Sequence, residues 1–172
     1  MSRALLEHLE NLIRQTKPDV ANALQPGLIE DAMQTMLRAG KVGGNVYPIL
    51  SFFGWRNGCE FDSSTTLGEA SPFPESIYGF LDFKTAIEHF GLFHETLIYH
   101  PKFDEADGRY FPLFWDSSNS WIALDLDPNA HGRVVLLITE SEELAYEAYS
   151  TLEAFIQDAI QANSKNEPLT CF

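Results

Sequence analysis

The chain has 172 residues, 45% hydrophobic and 13% aromatic, enough to bury a sizeable core and to exclude a disordered polypeptide. Its 25 acidic residues outnumber 11 basic ones for a net charge of −14, a field that repels phosphate backbones and argues against direct nucleic-acid binding. No stretch has the roughly 18 consecutive apolar residues of a membrane helix, and "MSRALLEHLENLIRQ" mixes charges into its apolar pattern, unlike a signal peptide, so a cytoplasmic protein is expected.

In chain order, Ser2 is placed to cap a first helix whose Leu5, Leu6, Leu9, Leu12 and Ile13 recur at helical spacing until Pro18 closes it. After "LQPG", Leu28, Ile29, Ala32, Met33, Met36 and Leu37 trace a second amphipathic stripe ending at Gly40. The "GKVGGN" segment lacks the lysine and hydroxyl ending of a P-loop, so it reads as a linker and not as a phosphate cradle. Pro48 then opens a third helix, too continuously apolar through Ile49, Leu50, Phe52, Phe53 and Trp55 to lie on the surface. Asn57-Gly58 supplies a left-handed stop.

Residues 60–75 are rich in Ser, Thr, Pro and Gly and read as a long surface loop. A short strand is predicted over Ile77–Leu81, followed by a brief helix "FKTAIEHF" capped by Asp82 and stopped by Gly91. "LIYH", "YFPLFWD", "WIALDLD" and "RVVLLIT" then predict four strands of an antiparallel meander. Thr139 with Glu142 makes a capping box for a last helix with Leu144, Ala148, Leu152, Phe155, Ile156, Ala159 and Ile160 on its apolar face, before a fraying tail. The whole chain, 1–172, therefore reads as one α+β domain. It has N-terminal helices over 1–42, mainly sheet over 77–139 and a C-terminal helix over 140–163, with the helices packed around a central antiparallel sheet.

Candidate chemistry is sparse. His89, His94 and His100 are spaced by five and six residues, which fits neither the helical pair of a zinc site nor strand alternation, so no metal is expected. Asp125 and Asp127 share a strand face, where paired carboxylates bind a cation or share a proton, but "DPN" also opens a turn and Asp125 is placed to satisfy nearby backbone groups. "FDEADG" lacks the ligand ladder of a calcium loop and reads as an acidic hairpin tip. Trp115 and Trp121 are positioned to meet across a hairpin, either as a stacking platform or as core. Cys59 and Cys171 suggest neither a disulfide framework nor a zinc spacing. No nucleophile and base pair stands out, so neither an enzyme nor a cofactor is expected.

The acid is unevenly spread. Residues 104–172 hold 13 acidic and 3 basic residues, net −10, against net −4 for residues 1–103. Such a field steers a basic protein partner and equally keeps a protein soluble. Candidate partner contacts are Asp104, Glu105 and Asp107 on the hairpin tip, Asp125 and Asp127 if their strand face is open, and Arg56 at the end of the third helix.

The ordered set "LQPGLIEDAMQTML", "FFGWRNG", "YGFLDFKTAI", "YFPLFWDSSNSWIALDLDP", "GRVVLL" and "AYSTLEAFIQDAI" resembles the SUKH superfamily, whose members carry an SMI/KNR-type domain. Trp55, Asn57 and Gly58 match that family's aromatic, polar and Asn-Gly helix ending, and Phe111, Pro112, Trp121 and Asp125 match its Phe-Pro strand and the hydrophobic-Asp-hydrophobic strand after it. The Leu-Pro pair common ahead of the third helix falls at Asn45 and Val46 here, with the proline at Pro48. The resemblance implies a non-catalytic α+β protein-binding module. Many bacterial members look like immunity proteins that neutralise toxins, often nucleases, while fungal relatives are linked to cell-wall synthesis and signalling as interaction hubs. An immunity-type protein presenting an acidic face to a basic toxin is the expected function, and an intracellular scaffold or regulator the alternative.

Overall fold

Pro18 both ends the first helix and starts the second. It cannot donate to the helix before it, and at the first position of the next its missing N–H costs nothing, so α1 (Arg3–Thr16) turns directly into α2 (Pro18–Ala23). The computed structural model describes residues 2–59, 71–97, 100–102 and 108–171, without the side chains of 94–97. Among them, six α-helices surround a five-stranded antiparallel sheet, with a small two-stranded sheet beside it. The predicted α+β class is the observed one. No helix among the described residues is long and apolar enough to cross a membrane.

Helix α1 buries Leu6, Leu9 and Ile13, although Ser2 at its N-cap makes no side-chain cap bond. Strand β1 (Leu24–Pro26) pairs antiparallel with β2 (Arg56–Cys59), and α3 (Glu30–Ala39) and α4 (Tyr47–Trp55) lie between them in sequence. The aromatic helix α4 is as central as its composition demands, with Phe52 and Phe53 no more than 1% exposed. Its end differs from expectation. Arg56, not a left-handed residue, follows the helix in extended conformation, and the chain runs straight into β2. Gly58 is left-handed at φ +77°, but its role is close packing: a Cβ there would lie 2.5 Å from the Leu81 carbonyl oxygen and the Asp82 nitrogen. Gly27 is required in the same way, since a Cβ would come within 2.1 Å of the Gly54 oxygen.

The large sheet runs β3 (Gly79–Phe80), β4 (Tyr110–Trp115), β5 (Ser120–Asp125), β6 (Val134–Ile138) and β7 (Ala145–Tyr149), each beside the next. All of β5 is buried. Ring contacts set α4 and Phe155 against the face carrying Phe114, while His89 and Phe93 of α5 (Phe83–Leu97) pack on the Trp115–Trp121 pair. The last helix, α6 (Leu152–Lys165), packs along α1 and closes the core.

Three predicted elements are displaced. Helix α5 is capped by Asp82, which accepts from the Lys84 and Thr85 amides, but it runs through Gly91 to Leu97, because buried Phe90 and Phe93 outweigh the roughly 1 kcal/mol propensity cost of one glycine. "LIYH" is consequently no strand: Leu97 ends a helix, residues 98 and 99 lie outside the described residues, and His100 sits in a turn. The segment 145–149, read as the start of the C-terminal helix, is strand β7, so the sheet extends past 139 and the helix starts at Leu152. Its cap is Thr151, whose hydroxyl accepts from the Ala154 amide, and not Thr139. The tail folds back: after left-handed Asn166, Leu169 is 4% exposed and the Thr170 amide bonds to Asp158. Of the long loop, residues 60–70 lie outside the described residues, while its far end is core. Phe73 is 1% exposed, 5.0 Å from the Phe114 ring and 5.4 Å from Phe155. The Lys17 ammonium, its pKa lowered by burial, donates to the carbonyls of Ser71 and Phe73 there.

Candidate functional site

Antiparallel register brings three strand ends together. Tyr110 pairs with Asp125, and the Asp125 amide donates to the Arg133 carbonyl, so Arg109 and Arg133 flank the end of β5 from either side. The Asp125 side chain is fully buried. Its Oδ1 accepts from Arg109 Nε at 2.9 Å and from the Asp127 amide at 3.0 Å, and its Oδ2 from Arg109 Nη2 at 2.9 Å and from Arg133 Nε and Nη2. Burial opposes ionisation of this carboxyl, yet the hydrogen bonds from both guanidiniums outweigh it and hold Asp125 below its usual value. The same hydrogen bonds raise both arginines. The Arg109 guanidinium also lies 5.3 Å over the Tyr110 ring.

Asp125 and Asp127, paired in the sequence, do different things here. Asp125 is 1% exposed and has no open face, so it is not a surface contact. Asp127 turns outward with a side chain 37% exposed, and caps the short 3-10 turn Pro128–Ala130 by accepting from the Asn129 amide.

Around this buried hub lies an acidic exterior. Arg133 Nη1 reaches Glu147 on β7 at 3.1 Å, and a recess of about 300 Å³ between the turn and β7 is lined by Asp127, Arg133 and Glu147. Glu140, Glu142 and Glu143 stand exposed on the β6–β7 connection, where Glu143 pairs with Lys102. Tyr146 is 42% exposed, and its hydroxyl bonds to Ser141.

No protein-family model and no curated protein matches this chain.

The remaining sequence candidates sort by position. Asp104, Glu105 and Asp107 lie outside the described residues. Arg56 is engaged internally: its guanidinium makes a two-pronged bond to Glu10, at 3.1 Å from Nε and 2.5 Å from Nη2, and Trp55 Nε1 joins the same carboxylate at 3.1 Å. Burial raises the Glu10 pKa, but Arg56 first, then Arg14 and Trp55, bring it below the usual carboxylate value. Asn57 locks β2 to α5, its Oδ1 accepting from the Phe83 amide at 2.9 Å while its Nδ2 donates to Gln25. Phe111, Pro112 and Trp121 are core strand residues. Trp115 and Trp121 do meet across the ladder, 6.4 Å apart and within 11° of parallel, under α5, with Trp121 Nε1 donating to His89 Nδ1 at 2.9 Å. This is the core use of the pair, not an open stacking platform.

His89 is thus occupied, and burial lowers its pKa. His100 Nε2 bonds to the Ser141 carbonyl, and no group of three metal-ligating side chains occurs among the described residues. Cys59 is buried, its thiol pushed up to about 12 by burial, while Cys171 is exposed and neither is in a disulfide. A second cleft, about 470 Å³, lies between the starts of α4 and α6. Ser51, His131 and Glu153 line it, but among the described residues no hydrogen bond or ion pair joins them.

The residues that sequence reasoning missed are Arg109, Arg133, Glu10 and Glu147. The arginines carried a readable signal: each stands immediately before a strand flanking β5, where antiparallel pairing turns it toward a carboxylate at that strand's end.

Proposed function

We propose that this chain is a non-enzymatic protein-binding module of SUKH type, acting as an immunity protein that occludes a basic toxin domain, a nuclease in the leading case, with its acidic surface. One observation carries the reading: three basic residues face 13 acidic ones in 104–172, and Arg109 and Arg133 hold buried Asp125 while reaching, of the exposed acids, Asp127 and Glu147, so that among the described residues Glu140 and Glu142 meet no cation. Outward acid of this kind steers a cationic partner and fixes its orientation. The placement of the resembling motifs adds support. The aromatic helix ending lies at the α4–β2 junction, the Phe-Pro pair in β4 and the hydrophobic-Asp-hydrophobic run in β5.

The test is co-expression with a basic toxin domain encoded by a neighbouring gene. Protection of the cell is expected, and its loss when Glu142→Lys and Glu143→Lys are combined with reversal of Asp104, Glu105 and Asp107. Absence of protection, or protection that survives all five reversals, overturns the proposal. Retention of a partner from the protein's own cell at high ionic strength, where exposed charges are screened, would make it a scaffold or regulator instead.

A further inference from the structure

The two edges of the large sheet are managed differently. At one, β3 is only two residues long, and β2 packs against it so tightly that Gly58 admits no side chain beside Leu81 and Asp82. At the other, β7 is the outermost strand, and its hydrogen-bond phase can be read directly. Ile138 N–H donates to the Leu144 carbonyl, so the Leu136–Tyr146 pair shares that bonded phase, while Ala145 and Glu147, opposite Leu137 and Val135, turn N–H and C=O away from β6. The β5 side agrees: Asp125 N to Arg133 O and Thr139 N to Asn119 O put the odd-numbered residues of this stretch on the β5 side of β6. Among the described residues neither a backbone nor a side-chain group bonds the four outward groups of Ala145 and Glu147.

We infer that this β7 edge is a docking strand and that its occupant is an extended, cationic segment of the partner protein, added as a further strand of the sheet. The inference rests on the acidic-surface reading above and gives it a place. Backbone pairing at an exposed edge supplies affinity, and alternate side chains of the added strand supply specificity. Both kinds of contact are present. Ala145 and Glu147 offer the backbone ladder, and the recess beside β7, lined by Asp127, Glu147 and the Arg133 that bonds Glu147, offers carboxylate oxygens to a lysine or arginine side chain.

Charge selects among occupants. Glu140, Glu142, Glu143 and Glu147 line this edge and its approach, with Lys102 engaged with Glu143 and Arg133 shared between Asp125 and Glu147. A second copy of the chain, paired edge to edge, would set Glu147 and its acidic neighbours against themselves, and like charges across a ladder are destabilising. The bulge between Val134 and Val135 further discourages long self-pairing.

The experiment uses the full chain and a short extended peptide of alternating lysine and valine, with a second peptide of the same sequence N-methylated along both edges. The expected result is protection of the Ala145 and Glu147 amides from hydrogen exchange by the first peptide. The N-methylated peptide is expected to bind more weakly by about fivefold for each hydrogen bond lost. Ala145→Pro removes an outward N–H without touching the β6 ladder, and should weaken the first peptide alone. Equal binding of the two peptides, or protection elsewhere with these amides unchanged, overturns the edge inference while leaving the acidic surface in place. Binding of the first peptide at wild-type strength and rate after Glu142→Lys with Glu143→Lys overturns the acidic reading and, with it, the cationic occupant. Self-association of the protein that protects the same amides overturns the inference in favour of a second copy.

Discussion

Asp125 and Glu147 stand on neighbouring sides of one arginine and show two opposite uses of a carboxylate. Arg133 bonds both, yet the Asp125 side chain is fully buried and has its oxygens filled by two guanidiniums and an amide, while the Glu147 side chain is 56% exposed and keeps room for a further partner. The inner acid fixes where three strands end. The outer acid shapes the field that a partner meets. A net charge of −14 counts both alike, so it overstates what is structural and hides what is available.

The sharpest way to break the contrast is Asp125→Ala. Two guanidiniums would be left facing a buried void, and removing one partner of a buried pair costs about 3–5 kcal/mol. Urea denaturation should show a midpoint lowered accordingly with little change in slope. A loss under about 1 kcal/mol would place Asp125 with the surface carboxylates. Glu10→Gln comes next, because the carboxylate that gathers Arg56, Arg14 and Trp55 Nε1 is only partly screened, its side chain being 13% exposed. A neutral amide keeps the shape and one acceptor, so about 1–3 kcal/mol is expected. Trp55 also reports by fluorescence.

Acid sharpens the comparison further. The folded pKa of Asp125 is depressed, so its contribution is fully present above the unfolded value of about 3.9 and is lost as pH falls through the lower folded value. Glu10 behaves the same way from about 4.3. Stability measured against pH should therefore fall on the acid side of that window, and the fall should be shallower in Asp125→Asn. Parallel curves for the two proteins would mean that Asp125 does not titrate differently on folding.

Much of this architecture was legible in the sequence because its signals were local. The apolar run of α4, the Asp82 cap, the strands β4 to β6 and the meeting of Trp115 with Trp121 all followed from spacing or from adjacent turns. What escaped depended on partners distant in sequence. Residues 145–149 carry apolar positions that continue the helical stripe of α6, and only pairing with β6 makes them a strand. Gly91 looked like a stop, but burial of Phe90 and Phe93 carries α5 past it. The candidate site split along the same line. Asp127 as an outward turn residue could be read from "DPN", whereas the inward fate of Asp125 depended on Arg109, 16 residues away, and Arg133, 8 away.

The smallest expected effect on stability belongs to the outer acids, and it is the most informative about function. Among the described residues, Glu142→Lys with Glu143→Lys breaks only the exposed contact of Glu143 with Lys102, and exposed pairs of this kind contribute little. The melting temperature should stay at that of the wild-type protein. Four units of charge change on one approach to β7 should nevertheless slow association with a cationic partner, and the difference between variant and wild type should shrink as salt is added, since exposed charges separated by more than a Debye length, about 8 Å at physiological ionic strength, are screened. The dissociation rate should change less than the association rate, because rim charges act on encounter and not on the formed ladder. If the variant melts early, these carboxylates belong with Asp125 and the division between inner and outer acid fails. If it melts normally and associates at the wild-type rate, the division holds and the partner is recognised elsewhere.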